Sequence, residues 1–276
     1  MKKAVILAPA LLWAAGIGSA ADIGSAPGGL DLGFLQMYDL QFTAAHKTFA
    51  DYEQVYPDDP LAAVSDAAAY LFAEFDRLKI LQSEFFVHDE NFRGQHQKLE
   101  ADPRVRRAFE VDLAKADKLA ASTLHARPRD SNALFASVMV LGLRADFDGL
   151  IDKHDLSALS SVKSGRALAE KLLTIDPSYY DAHLAVGVEN YMLSLKAAPV
   201  RWFLQLAGAQ TDREVGIEQL TLTAEKGHYL KPYARLLLAV DALRRKDTGK
   251  AREILTGLAQ QFPHNRLYVE ELARLQ

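Results

Sequence analysis

Catalysis needs acids, histidines or hydroxyls at set spacings, and this chain offers a few such groupings. Glu84 and His88 stand four residues apart, with Asp89, Glu90 and His96 close behind. On a helix the first two would share one face, as a metal site requires. No second pair at metal spacing and no His-Glu-x-x-His motif follows, so the grouping reads as a solvated helix end with its loop. Asp146-Phe147-Asp148-Gly149 has the look of the middle of a calcium loop. The first loop position is then Arg144 where an acid belongs, and the twelfth is Asp155 instead of Glu. This stretch reads as a loop with a glycine turn. Ser, His and Asp are plentiful, but G-x-S-x-G, G-x-x-x-x-G-K-[ST] and G-x-G-x-x-G are all absent. The expectation is therefore no catalytic residue, no metal ligand, no cofactor and no enzyme.

The elements that would position any site follow a helical period. The chain begins with Lys2 and Lys3, an apolar run from Ala4 to Ala15, and Gly18-Ser19-Ala20-Ala21 before Asp22. That is the pattern of a cleaved secretory signal peptide over residues 1–21, and the run is shorter than the about 20 residues that span a bilayer. No later segment is long and apolar enough to span. With no cysteine there is no thiolate metal site, disulfide or lipid-bearing cysteine. The expected compartment is periplasmic or extracellular. The net charge of −4 falls to −6 once the two leader lysines are removed, which argues against a nucleic-acid partner.

Residues 22–29 (DIGSAPGG) read as a flexible leader, and from Leu30 onward apolar residues recur at helical spacing without β-type alternation. One long helix is expected over about residues 60–86 and a second from Pro103 to Ala126, with Asp102-Pro103 as cap and first turn. Residues 146–161 are expected as an insertion between two helices. Thr211 and Glu214 are expected as a capping box, with the helix closing near Gly227.

Prolines serve as rulers. Twelve residues before Pro57, Pro128, Pro177 and Pro263 stand Ala45, Ala116, Gly165 and Ala251, all small. Eight residues before them stand Phe49, Ala120, Ala169 and Leu255, all apolar. A small residue lets two helices approach closely, and the proline stops the second helix. The stretch 232–263 shows the pattern most fully. It resembles one tetratricopeptide (TPR) unit, a helix–turn–helix of about 34 residues, and the segment from Gly187 to Gly227 is similar to one in bacterial exported TPR proteins. The resemblance implies an all-α fold over residues 30–276, a right-handed α-solenoid of four to six antiparallel hairpins capped by a helix over 265–275.

In TPR stacks the first helices line a concave face. Their inward positions, carried onto this sequence, give Leu61, Val64 and Phe72; Asn132, Phe135 and Met139; Leu184, Val188 and Tyr191; and Tyr233, Leu236 and Arg244. Ala68, Gly142, Leu143 and Asp181 occupy further such positions. The Lys, Arg and Asn set with which TPR units clamp a peptide carboxylate is missing. Two readings stand. Either a protein or peptide segment lies in an apolar groove, making the chain an adaptor or scaffold, or these residues are core, filled by the segment around Trp202. The runner-up to the adaptor is a carrier holding an apolar ligand in a closed helical bowl. Glu189 and Asn190 read as exposed helix residues.

Overall fold

The computed structural model describes residues 28–82, 99–195, 205–206 and 208–275. The signal-peptide reading of residues 1–21, the Glu84–His88 grouping and the Trp202 segment lie outside them. Among the described residues the chain is all-α, with no strand. The helices are α1 (Leu30–Tyr38), α2 (Phe42–Val55), α3 (Pro60–Arg77), α4 (Pro103–Ala126), α5 (Ser131–Asp146) and α6 (Asp155–Ile175). They continue as α7 (His183–Ser194), α8 (Arg213–Lys226), α9 (Lys231–Arg244), α10 (Thr248–Gln261) and α11 (Arg266–Arg274). A π-helical turn, Phe147–Asp152, extends α5, and a 3-10 turn, Tyr180–Ala182, precedes α7.

Short polar residues start most of these helices. Asp59 accepts from the Leu61 N–H at 2.9 Å, Asp102 from Arg104 at 2.7 Å and Asp130 from Ala133 at 3.0 Å. Asp247 and Asn265 cap α10 and α11 in the same way. Each such cap is worth about 1 kcal/mol. The cap of α8 is Asp212, whose carboxylate receives the Glu214 and Val215 N–H groups. The expected Thr211 is one residue too early, because Asp212 reaches the free N–H groups from the adjoining position. Helix α3 stops at Arg77, short of residue 86. Lys79 adopts the left-handed conformation (φ 58°), which turns the chain so that Ile80 N–H reaches back to the Phe75 carbonyl and Ile80 is buried.

Consecutive helices pair as α1/α2, α3/α4, α5/α6, α7/α8 and α9/α10, with α11 on α10. The ruler residues lie in these interfaces: Ala45, Ala116, Gly165 and Ala251 are buried, as are Phe49, Ala120, Ala169 and Leu255. Close approach is enforced by glycine at two places. A Cβ on Gly33 would come within 2.2 Å of the Phe49 ring, and one on Gly216 within 2.6 Å of the Tyr191 backbone nitrogen. Residues 146–161, expected as an inserted loop, are mostly helical. The extra residues widen the end of α5 into the π turn, reverse at Lys153 (φ 58°) and lengthen α6.

The array closes on itself. Helix α1 packs on α2 and also meets the C-terminal hairpin. Phe34 stacks on Tyr229 with ring centroids 4.7 Å apart, and Tyr38 lies 5.9 Å from Phe262. Asp31 pairs with His228 at 2.6 Å. Asn265 donates to the Tyr38 carbonyl at 2.7 Å, and the His264 N–H donates to Asp39 at 2.8 Å. Arg266 forks onto Asp76 at 2.8 and 2.9 Å.

Candidate functional site

Closure leaves a cavity of about 100 Å³ at the centre, where the first helices of all five hairpins converge with α6. Phe34, Met37 and Tyr38 come from α1, Ala68 and Phe72 from α3, and Val138, Met139, Gly142, Leu143, Ala145 and Asp146 from α5. Leu184, Ala185 and Val188 of α7 and Leu230 and Tyr233 at the start of α9 complete it. The wall is apolar because every contributing helix turns its buried stripe inward. Of the lining residues Gly142 is the exposed one, and a Cβ built there meets nothing within 4 Å.

Two acids face this apolar space. Asp181, in the 3-10 turn, accepts the N–H groups of His228, Tyr229 and Leu230 at 2.9 to 3.1 Å. It thereby fixes the α8–α9 turn, and the fit is close. A Cβ on Gly227 would come within 2.8 Å of its Oδ1. Burial pushes the Asp181 carboxyl above the ordinary value, and the three N–H groups pull it back. Asp146, the last residue of α5, has no hydrogen bond or ion pair among the described residues. Burial alone pushes its carboxyl up to about 7. The neighbouring Tyr233 is raised well above its ordinary value, by burial first and then by the Asp146 charge. The buried Tyr38 hydroxyl likewise has no partner among the described residues. Both phenols stay neutral at any physiological pH.

The π turn begins immediately after Asp146 and is held from outside. Phe147 stacks on Phe109 at 4.9 Å, and the Arg106 guanidinium covers the Phe147 ring at 4.5 Å while forking onto Asp152 at 2.6 and 2.8 Å. Asp148, Asp152 and His154 bring ligand atoms within 4.8 Å of one another. Arg106 takes both Asp152 oxygens, and Ser157 donates to Asp148 at 2.5 Å, so the acids there are already answered by protein groups.

A third polar grouping lies across α2, α3 and α4. His46 meets Asp66 at 2.5 Å, and its ring lies tilted against Tyr70 with centroids 4.0 Å apart. Asp112 beside them is pushed up to about 7, by burial first and then by the Asp66 charge and hydrogen bond. These groups can share a proton.

Several of the inward residues expected from sequence do meet at the cavity: Phe72, Met139, Leu184, Val188 and Tyr233, with Ala68, Gly142, Leu143 and Asp181 beside them. Leu61, Val64, Phe135, Tyr191 and Leu236 are buried between helices and do not line it. Asn132 is exposed and accepts from the Tyr179 hydroxyl at 3.2 Å, and Arg244 stands at the far end of α9, away from the cavity. Glu189 and Asn190, expected at the surface, are buried. The segment before α8 folds across α7, so Glu189 pairs with Arg166 at 2.5 Å and receives the Gln210 N–H, while Asn190 receives the Asp212 N–H. Sequence reasoning noticed Asp146 only as part of a calcium-like stretch and read it as a loop, and it missed both the place of Asp146 in the cavity wall and the whole contribution of α1. No family model matches this chain, and no curated protein matches it.

Proposed function

We propose that this chain is an exported binding protein that holds a small apolar molecule in the cavity beneath α1, within a right-handed array of diverged TPR-like hairpins. The observation that carries the reading is the convergence of five first helices on one apolar cavity with the exposed Gly142 in its wall. Ligand sites are typically concave, mostly apolar and furnished with few polar groups. The hairpin pairing and the buried small residues at ruler positions support the TPR kinship. The leader pattern in the sequence supports a periplasmic or secreted location. An adaptor that grips a protein or peptide segment in the same concavity would need α1 to leave it. The ring contacts and hydrogen bonds to residues 228–266 hold α1 in place.

The test is calorimetric binding of 1-hexanol to the purified chain and to Gly142→Leu. A leucine there enters open space and improves helix propensity by about 1 kcal/mol, so the fold survives. Saturable binding that Gly142→Leu abolishes, with unchanged circular dichroism, supports the reading. Binding that is absent, or indifferent to the substitution, overturns it.

A further inference from the structure

We propose that the ligand of this cavity is an aliphatic amine, its hydrocarbon body against the apolar wall and its ammonium on the Asp146 carboxylate. The inference rests on the cavity being a ligand site, as argued above, and adds the chemical class of the ligand.

Three observations carry it. First, Asp146 is half-buried and lines the cavity without a partner, unlike the fully buried acids elsewhere. Glu74 is held by Arg77, Asp152 by Arg106, Glu189 by Arg166, Asp241 by Arg213, Glu271 by Arg274 and Asp181 by backbone N–H groups. Asp146 has no such partner among the described residues, and a carboxylate set in an apolar wall is costly unless a ligand supplies a cation. Second, the field in the cavity has one sign. The other titratable groups among the lining residues are Tyr38 on α1, Asp181 before α7 and Tyr233 on α9. Neither α3 nor α6 contributes a charged group to the wall, and no lining residue is Lys, Arg or His. A carboxylate ligand would meet like charge, and a neutral one would leave Asp146 unanswered. Third, the rings of Phe72, Tyr38 and Tyr233 lie in the same wall, and aromatic faces attract an ammonium.

The ionisation of Asp146 supports the same class. Burial alone lifts its carboxyl to about 7, which is the state of an acid waiting for its counter-ion. An alkylammonium stays charged through this range, with an ordinary pKa near ~10.4. Tyr38 and Tyr233 remain neutral throughout, and Asp181 is held by its N–H groups. Ammonium affinity therefore rises as pH rises from about 5.5 to 8, following the loss of the Asp146 proton.

The experiment titrates hexylamine, 1-hexanol and hexanoate into the purified full chain, into Asp146→Asn and into Gly142→Leu. The expected order is hexylamine about tenfold tighter than hexanol at pH 8, with hexanoate weakest. Asp146→Asn should abolish the preference for hexylamine over hexanol measured in that same variant, and should also remove the pH dependence. Hexanol binding without a hexylamine preference, or a preference that survives Asp146→Asn, overturns the amine assignment and leaves the cavity reading intact. Hexylamine binding that survives Gly142→Leu marks a surface site and overturns it too. Failure of both hexanol and hexylamine to bind the wild-type chain overturns the cavity reading together with the inference.

Discussion

Two carboxylates, Asp181 and Asp146, border the same cavity, and the chain treats them differently. Around Asp181 the backbone is arranged to serve the acid: three consecutive N–H groups from residues 228–230 converge on it, and Gly227 leaves it room. Around Asp146 nothing is arranged. Helix α5 ends, the π turn begins, and the carboxyl faces apolar side chains with no donor of its own. A buried acid that accepts N–H groups is part of the scaffold. One left without them in an apolar wall is destabilising to the fold when ionised.

The largest effect expected from breaking this contrast is at Asp181. Asp181→Ala removes the buried acceptor of three backbone N–H groups and should cost about 3–4 kcal/mol in urea unfolding. Asp181→Asn, keeping one acceptor oxygen, should cost roughly half of that. A loss below about 1 kcal/mol for the alanine variant would mean that water replaces the carboxylate and that the two acids are alike. Asp146→Leu should go the other way, raising stability at pH 8 by about 1–2 kcal/mol because it removes an uncompensated charge from an apolar wall. A destabilisation of similar size would place an undetected partner on Asp146.

Proton linkage sharpens the same comparison. Asp146 and Asp112 both have folded-state values near 7, against about 3.9 in an unfolded chain. The folded state holds these protons more tightly, so their contribution is fully present below about pH 4. It is lost as pH rises to 7. Unfolding free energy should fall by the order of 1–2 kcal/mol per group over that range, with Asp112 at the lower end. Asp146→Asn and Asp112→Asn should each flatten part of the slope. An unchanged slope in both variants would assign it to other groups. The smallest effect is reserved for an exposed pair: Lys47→Ala, which breaks the surface bridge to Asp51, should change stability by less than about 0.5 kcal/mol.

Helix content, hairpin pairing and the small-residue contacts were legible because each follows from local spacing. A proline stops a helix, and a small residue twelve positions earlier faces its partner. The inward positions were legible only in part: Phe72, Met139, Leu184, Val188 and Tyr233 meet at the cavity, whereas Leu61, Val64, Phe135, Tyr191 and Leu236 pack between helices and Asn132 and Arg244 lie away from it. What escaped depends on long-range closure. Nothing local in Phe34 or Tyr38 announces that they stack against Tyr229 and Phe262. The role of Asp146 is likewise set by what does not approach it. Glu189 and Asn190 misled for a related reason: polar residues on a helix look solvated until another segment folds across them. The end of α3 was misjudged because Lys79 carries the left-handed turn without the glycine that ordinarily announces it.

The contacts that seat α1 join residues from 195 (Phe34 to Tyr229) to 227 (Tyr38 to Asn265) positions apart. Stacked hairpins ordinarily assemble from neighbour to neighbour, each unit stable as soon as the next arrives. Here α1 pairs with α2 as any neighbour does, but its other face docks on residues 228–266, so that seat cannot form until those residues are in place. The cavity wall contributed by Phe34, Met37 and Tyr38 therefore depends on a contact of very long sequence separation, the kind that carries the largest loop-closure cost.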